Sequence, residues 1–179
     1  NGVGTSMVLD LAEHFNKKTN KLKHTNLIFL NTGSEEGPTR GMEHFMKQYK
    51  FDKENTYFLN LESIGAEIVM VCHGESSLPT GYPIEFDKKA FNFVMNLIHS
   101  KEEYKGVVKE GFLPACSDML EVHKQKGKVI TQITSIAPNG MPSQYHQMFD
   151  TIDLIKWDKV KEARALAIDI IEELSLIHI

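Results

Sequence analysis

Residues 26–41 read NLIFLNTGSEEGPTRG. The apolar run Asn26–Asn31 predicts a short buried strand, and Gly33, Gly37 and Pro38 punctuate the residues after it. Two adjacent carboxylates, Glu35 and Glu36, stand just beyond that strand end. Met42, Phe45, Met46 and Tyr49 then fall at helical spacing. A strand, a tight polar turn and a helix in that order are the unit from which α/β sheets are built. In such sheets, sites lie at the carboxyl ends of strands. The two glutamates are therefore either ordinary loop charges or two groups with different tasks at one site.

Working outward, the same alternation recurs. Val3, Met7, Val8, Leu11 and Phe15 predict an amphipathic helix over 3–16. Thr56–Leu61 and Glu67–Cys72 predict two strands, and the short link Ser63–Ala66 between them predicts a hairpin. Ser76–Pro83 reads as a loop. Ala90, Phe93, Val94, Leu97 and Ile98 mark a helix. Gly111 and Pro114 predict a loop, followed by a short helix from Asp118. Val129–Thr134 is a further strand, and Pro138–Pro142 a loop. Val160, Ala163, Leu166, Ala167, Ile170, Ile171 and Leu174 build a long final helix, with Asp150 and Asp153 as cap and first-turn acid. Together these predict an α/β fold, a three-layer α-β-α sandwich on a mixed, mostly parallel sheet. Residues 1–174 are expected to form a single catalytic domain, with 175–179 as a tail that reads as non-native.

Bulk properties narrow the function. The chain has 179 residues, enough for one substantial core. Twenty basic residues against 24 acidic ones leave a net charge of −4 and no basic block, so the footprint of a nucleic-acid binder is missing. Lys17, Lys18, Lys21 and Lys23 gather at a solvated helix end and loop. No apolar run reaches membrane-spanning length. Cys72 and Cys116 form no disulfide framework. No leader peptide is visible, and compartment stays open.

Hydrolysis of a peptide bond by water needs an activated nucleophile and a polarised carbonyl. Metal ions held by carboxylates and imidazoles supply both, provided one carboxylate stays available as base. Neighbouring glutamates on an irregular turn suit that division. Four segments then resemble the M28 family of zinc aminopeptidases, in the family's order: Asn1-Gly-Val-Gly4, Gly33-Ser-Glu-Glu-Gly37 with Gly41, Asn60-Leu-Glu-Ser-Ile-Gly65, and Tyr145-His146 with Asp150-Thr151. Ser117-Asp118 also resembles a pair on a loop near the family's pocket. Each motif is weak alone; together, in order and at element edges, they are specific.

The resemblance implies a zinc-exopeptidase-like fold with two zinc ions and a peptide substrate with a free N-terminus. It implies Glu35 as general base, Glu36 and His146 as ligands of one zinc, and Glu62 as ligand of the other. Ser117, Asp118 and Tyr145 would border the substrate pocket. The family's bridging Asp, just before the position of Asn1, and an upstream His have no counterpart in the chain. That departure reads as an N-terminally truncated fragment, expected to hold metal weakly and to be a poor catalyst itself. Pro38, where the family tends to have glycine, is a smaller departure.

Two other readings stand beside this one. A non-catalytic interaction domain on the same fold is disfavoured by retention of Glu35, Glu36, Glu62 and His146 together. A glutaminyl cyclase-like enzyme would need an indole-lined pocket, and the sole tryptophan, Trp157, is expected to pack within the last helix. His14, His24, His44 and His123 read as solvated, and no motif supports His73 as a ligand. Cys116 has no argued base partner for a thiol nucleophile.

Overall fold

The computed structural model describes residues 1–17, 22, 25–37, 39–77, 81–142, 145–148 and 150–176. Lys18, Lys21, Lys23, His24, Pro38, residues 78–80 of the expected loop and residues 177–179 of the tail lie outside the described residues. Helix α1 (Gly2–Asn16) turns Met7, Leu11 and Phe15 inward, and Asn1 caps it by accepting from the Gly4 amide at 3.2 Å. Helix α2 (Arg40–Gln48) buries Met42 and Met46. Strands β1 (Tyr57–Leu61), β2 (Ile68–Ser76) and β3 (Pro83–Glu85) follow, then α3 (Lys88–Ser100), capped by Asp87. Strand β4 (Lys109–Leu113), the short α4 (Met119–Lys124), β5 (Lys128–Ile136) and α5 (Trp157–Leu174) complete the chain. Among the described residues no helix is long and apolar enough to cross a membrane.

The sheet is mixed, as the alternation of elements predicts. β1 pairs parallel with β5, and β4 parallel with β2; β5 and β3 both pair antiparallel with β2. Among the described residues these pairings divide evenly between the two kinds, so the parallel share there is half rather than a majority. Helices cover both faces. On one, α1, α3 and α5 pack Leu11, Val94, Leu166 and Ile170 against Val69, Val71, Ile130 and Ile133. On the other, α2 and α4 set Met42, Met46, Met119 and Val122 against Met70, Cys72 and Val129. Removal of each such large apolar side chain from water contributes about 1.5–3 kcal/mol.

Three local expectations are corrected. The hairpin between β1 and β2 does not form, because β5 lies between them: Ile133 faces Leu61 on one side and Val71 on the other. Val129–Ser135 is buried throughout, and a strand buried on both faces belongs in the middle of a sheet. The link 63–66 instead crosses under β5, with Ser135 N–H donating to the Ser63 carbonyl and Gly65 N–H to Ser135 Oγ. Asn26–Asn31 makes no strand pairing among the described residues. Its alternation reflects side chains alone, with Leu27 and Phe29 on the larger core and Leu30 on the smaller. Conversely, the loop expected around Gly111 is strand β4. A Cβ there would sit 2.3 Å from Met70 Sδ, so this glycine marks close packing rather than a turn.

A polar clasp joins the α3 end to α5. The buried Tyr104 hydroxyl donates to Asp169 Oδ2 at 2.5 Å, and Lys101 Nζ reaches the same oxygen at 2.7 Å. Hydrogen bonds to charged groups contribute about 1.5–3 kcal/mol. Tyr104→Phe is therefore expected to lower unfolding free energy by about 2 kcal/mol. A urea midpoint unchanged from the wild type would contradict that.

Candidate active site

The Glu-Glu turn is built from its backbone. Gly37 N–H and Arg40 N–H donate to the Ser34 carbonyl, Thr39 N–H donates to the Glu35 carbonyl at 2.7 Å, and Gly41 N–H donates to the Gly33 carbonyl at 3.0 Å. The turn is thereby folded onto the first turn of α2. Gly41 permits this, since a Cβ would stand 2.2 Å from the Gly33 oxygen. Ser34 and Thr39 both take left-handed backbone, at φ 56° and 54°, unusual for residues with a side chain and dearest for the β-branched Thr39. The turn is held in that shape by its surroundings, which is how functional turns store strain.

The expected residues converge on one cleft of about 890 Å³, whose lining includes Glu35, Glu36, Glu62, Asp118, Tyr145 and His146. His146 Nε2 lies 2.9 Å from Glu36 Oε1, across 110 positions of sequence. His146 also has left-handed backbone, at φ 55°. Its ring stacks on Tyr145, centroids 3.9 Å apart. Glu62 follows the end of β1, and its carboxylate accepts from Ser63 Oγ at 3.0 Å. Asn1 fixes the start of α1 against this strand end. Its amide donates to the Leu61 carbonyl and its oxygen accepts from Ser63 N–H.

Glu35 is half-buried among like charges. Burial first, then the Glu62, Glu36 and Asp118 carboxylates, push its pKa up from 4.5 to about 7, while His146 pulls the other way. Glu62 is also raised, chiefly by burial. Carboxyls near neutrality in a cleft are the groups that can take and return a proton at working pH.

The pocket expectation divides. Asp118 and Tyr145 line the cleft, but Ser117 lies beneath its surface, 1% exposed, with its hydroxyl engaged inside. Asp118 stands at the N-terminus of α4 without capping it; Thr32 Oγ1 donates to its Oδ2, and its Oδ1 is buried with no hydrogen-bond partner among the described residues. Trp157 corrects its expectation. It is 52% exposed and borders the cleft instead of packing within α5. His73 stays away from the cleft, against Phe91, Phe112 and Glu85. His44 and His123 are exposed as expected, whereas His14 is half-buried. Glu75 and Gln132, which no motif marks, lie buried under the cleft and are joined to it through Asn60, which lines it; Glu75 falls beyond the strand expected to end at Cys72.

Glu36 and His146 present one carboxylate oxygen and one imidazole nitrogen at contact distance, donors of the kind zinc takes. Among the described residues no three of His, Cys, Asp and Glu come together as a metal-holding group. The donors thus fit zinc in kind, and the pair is one short of the three protein ligands that a catalytic zinc uses.

The family model Peptidase family M28 matches residues 1–171. Among solved structures, LapA of Legionella pneumophila superposes with TM-score 0.70 at 17% identity, covering 98% of this chain and 47% of that one. BSAP, a zinc aminopeptidase from Bacillus subtilis, gives 0.54 at 19%, covering 79% and 34%. Tannerella forsythia glutaminyl cyclase gives 0.54 at 13%, covering 74% and 45%. At these identities the likeness establishes the fold. The chain spans less than half the length of each of these structures. A search of the curated proteins finds no match.

Proposed function

Because the chain belongs to peptidase family M28, we propose that it carries the base and part of the metal-binding side of a zinc-dependent exopeptidase that removes N-terminal residues. The observation that supports this most is the meeting of Glu36 and His146 at 2.9 Å, with Glu35 beside them in the same cleft. Glu36 and His146 would hold one zinc, and Glu62 would contribute to a second. Zinc, when bound, would polarise the scissile carbonyl and make water more acidic.

The chain's own residues account for the proton traffic. Glu35 takes a proton from the attacking water and delivers it to the leaving amine, the work of a carboxyl near neutrality. Tyr145, stacked on His146, holds that imidazole in its left-handed turn. Two converging donors are too few for a tight site. Residues 1–179 are therefore expected to bind zinc weakly and turn over little by themselves.

The test has two parts. Calorimetric titration of zinc into the chain should give weak binding that His146→Ala reduces at least about tenfold, as for a group that touches the metal. In a form extended upstream of Asn1, hydrolysis of a chromogenic aminoacyl substrate should vanish with chelator and return with zinc. Zinc binding indifferent to His146, with no hydrolysis across a panel of amino acids, would sink the proposal and favour an interaction domain.

One observation favours a second reading. Trp157 stands half-exposed on the cleft wall, so the cyclase alternative is not set aside by a packed indole. A peptide with N-terminal glutamine separates the two. Peptidase action releases free glutamine, whereas cyclisation releases ammonia and leaves the peptide intact but for its ring.

A further inference from the structure

Under the cleft floor runs a chain of hydrogen bonds with a direction. Asn60 Nδ2 donates one hydrogen to Gln132 Oε1 at 2.8 Å and the other to Ser117 Oγ at 3.2 Å. Ser117 Oγ also accepts from Met119 N–H at 3.2 Å, and donates its only hydrogen to Glu75 Oε2 at 2.7 Å. Both hydrogens of the Asn60 amide are thereby used, and so is the full capacity of the serine hydroxyl. Glu75 is the terminal acceptor. It is wholly buried, and its other oxygen, Oε1, has no hydrogen-bond partner among the described residues. It comes from β2 where the register against β4 shifts between Cys72 and Glu75, an irregularity that re-aims a side chain.

We propose that Glu75 is a positioning residue, whose acceptance of the Ser117 hydroxyl fixes the segment 114–118 as the floor of the cleft and so places Asp118. Four elements meet in this chain: β1 through Asn60, two residues before Glu62; β5 through Gln132; β2 through Glu75; and the start of α4 through Ser117. Pro114, Ala115, Cys116 and Asp118 all line the cleft, and Ser117 is the anchor among them. A buried carboxyl costs stability unless it is bonded. An apolar residue at 75 would leave the Ser117 hydroxyl without an acceptor, so the segment would open more often. A glutamine would keep an acceptor at the same point. The inference concerns the shape of the cleft and stands whether or not the peptidase reading does.

The test uses Cys116, next to Ser117 and half-buried on the cleft wall, as reporter; Cys72 is fully buried. Its rate of reaction with a maleimide at pH 7 measures opening of the segment. Glu75→Leu and Ser117→Ala are each expected to speed labelling at least about tenfold, the population change that loss of one buried hydrogen bond brings. The double variant should label no faster than the faster single one, because both remove the same bond. Glu75→Gln should label no faster than the wild type, which a loss of mere packing at 75 does not explain. Near-ultraviolet circular dichroism shows which variants are folded; should Glu75→Leu fail to fold, Ser117→Ala decides alone. Wild-type labelling in a folded Ser117→Ala protein, or Glu75→Gln as fast as Glu75→Leu, would overturn the proposal.

Discussion

Glu35→Gln is expected to cut turnover of an aminoacyl substrate by about 10²–10⁴-fold, the range general acid–base catalysis contributes, in the zinc-loaded form that hydrolyses it. Two features of the site lead there. Glu35 is the carboxyl that burial and the neighbouring Glu62, Glu36 and Asp118 charges bring to about 7, and it is not the one in contact with His146. Glutamine keeps the shape and cannot carry the proton. The change should appear in kcat with KM little altered, since the proton moves only in the transition state. Zinc content should match the wild type, because the donors at Glu36 and His146 are untouched. A variant that loses zinc and activity together would instead make Glu35 a ligand. Turnover within a fewfold of wild type would end the general-base assignment and leave the adjacent glutamates as loop charges.

The layers of the fold were legible because their signal is local. Met42 and Met46 in α2, or Leu166 and Ile170 in α5, repeat at helical spacing, and that spacing alone commits them to a buried face. Glu35, Glu36, Glu62 and His146, the residues proposed for the site, line one cleft, and the motifs that single them out sit at strand and helix edges, where a short sequence determines one turn. What stayed hidden depends on long-range placement. Nothing between Leu61 and Glu67 announces that β5, some 70 residues on, will lie between β1 and β2. Gly111 looked like punctuation because Met70, the side chain it accommodates, is distant in sequence. Trp157 looked like core because it adjoins an amphipathic helix, yet it lies before the apolar stripe begins and faces the cleft. Glu75 stayed hidden because it stands between Gly74 and Ser76, beyond the strand expected to end at Cys72, and only the pairing of β2 with β3 and β4 buries it. Buried polar networks of this kind specify structure where apolar contacts cannot, and they are assembled from residues distant in sequence.

That glutamate also sets the expected response to pH. Glu75→Gln should be more stable than the wild type at pH 8 by about 3 kcal/mol and nearly equal to it at pH 4.5. Burial pushes the Glu75 carboxyl up from 4.5 to about 7, against the Ser117 hydrogen bond; the Asp118 carboxylate at the start of α4 and Glu35 in the turn before α2 add to the rise. The folded state therefore holds the Glu75 proton more tightly than the unfolded chain does. Its contribution is complete below 4.5, falls as pH climbs toward about 7, and is gone above it, where the folded protein must carry a buried charge. Glutamine stays neutral throughout, so the difference between the two proteins should open across that interval and then stay level. Urea unfolding at pH 4.5, 6, 7 and 8 measures it directly. Glu35, Glu62 and Asp118 are raised in the same direction, so both proteins should weaken toward alkaline pH, and only the gap between them reports Glu75. Parallel curves would mean that the carboxyl ionises in the fold as it does in the open chain. A wild type more stable than Glu75→Gln at pH 8, by an advantage that is lost only below pH 4.5, would mean that the Ser117 bond outweighs burial and holds Glu75 charged.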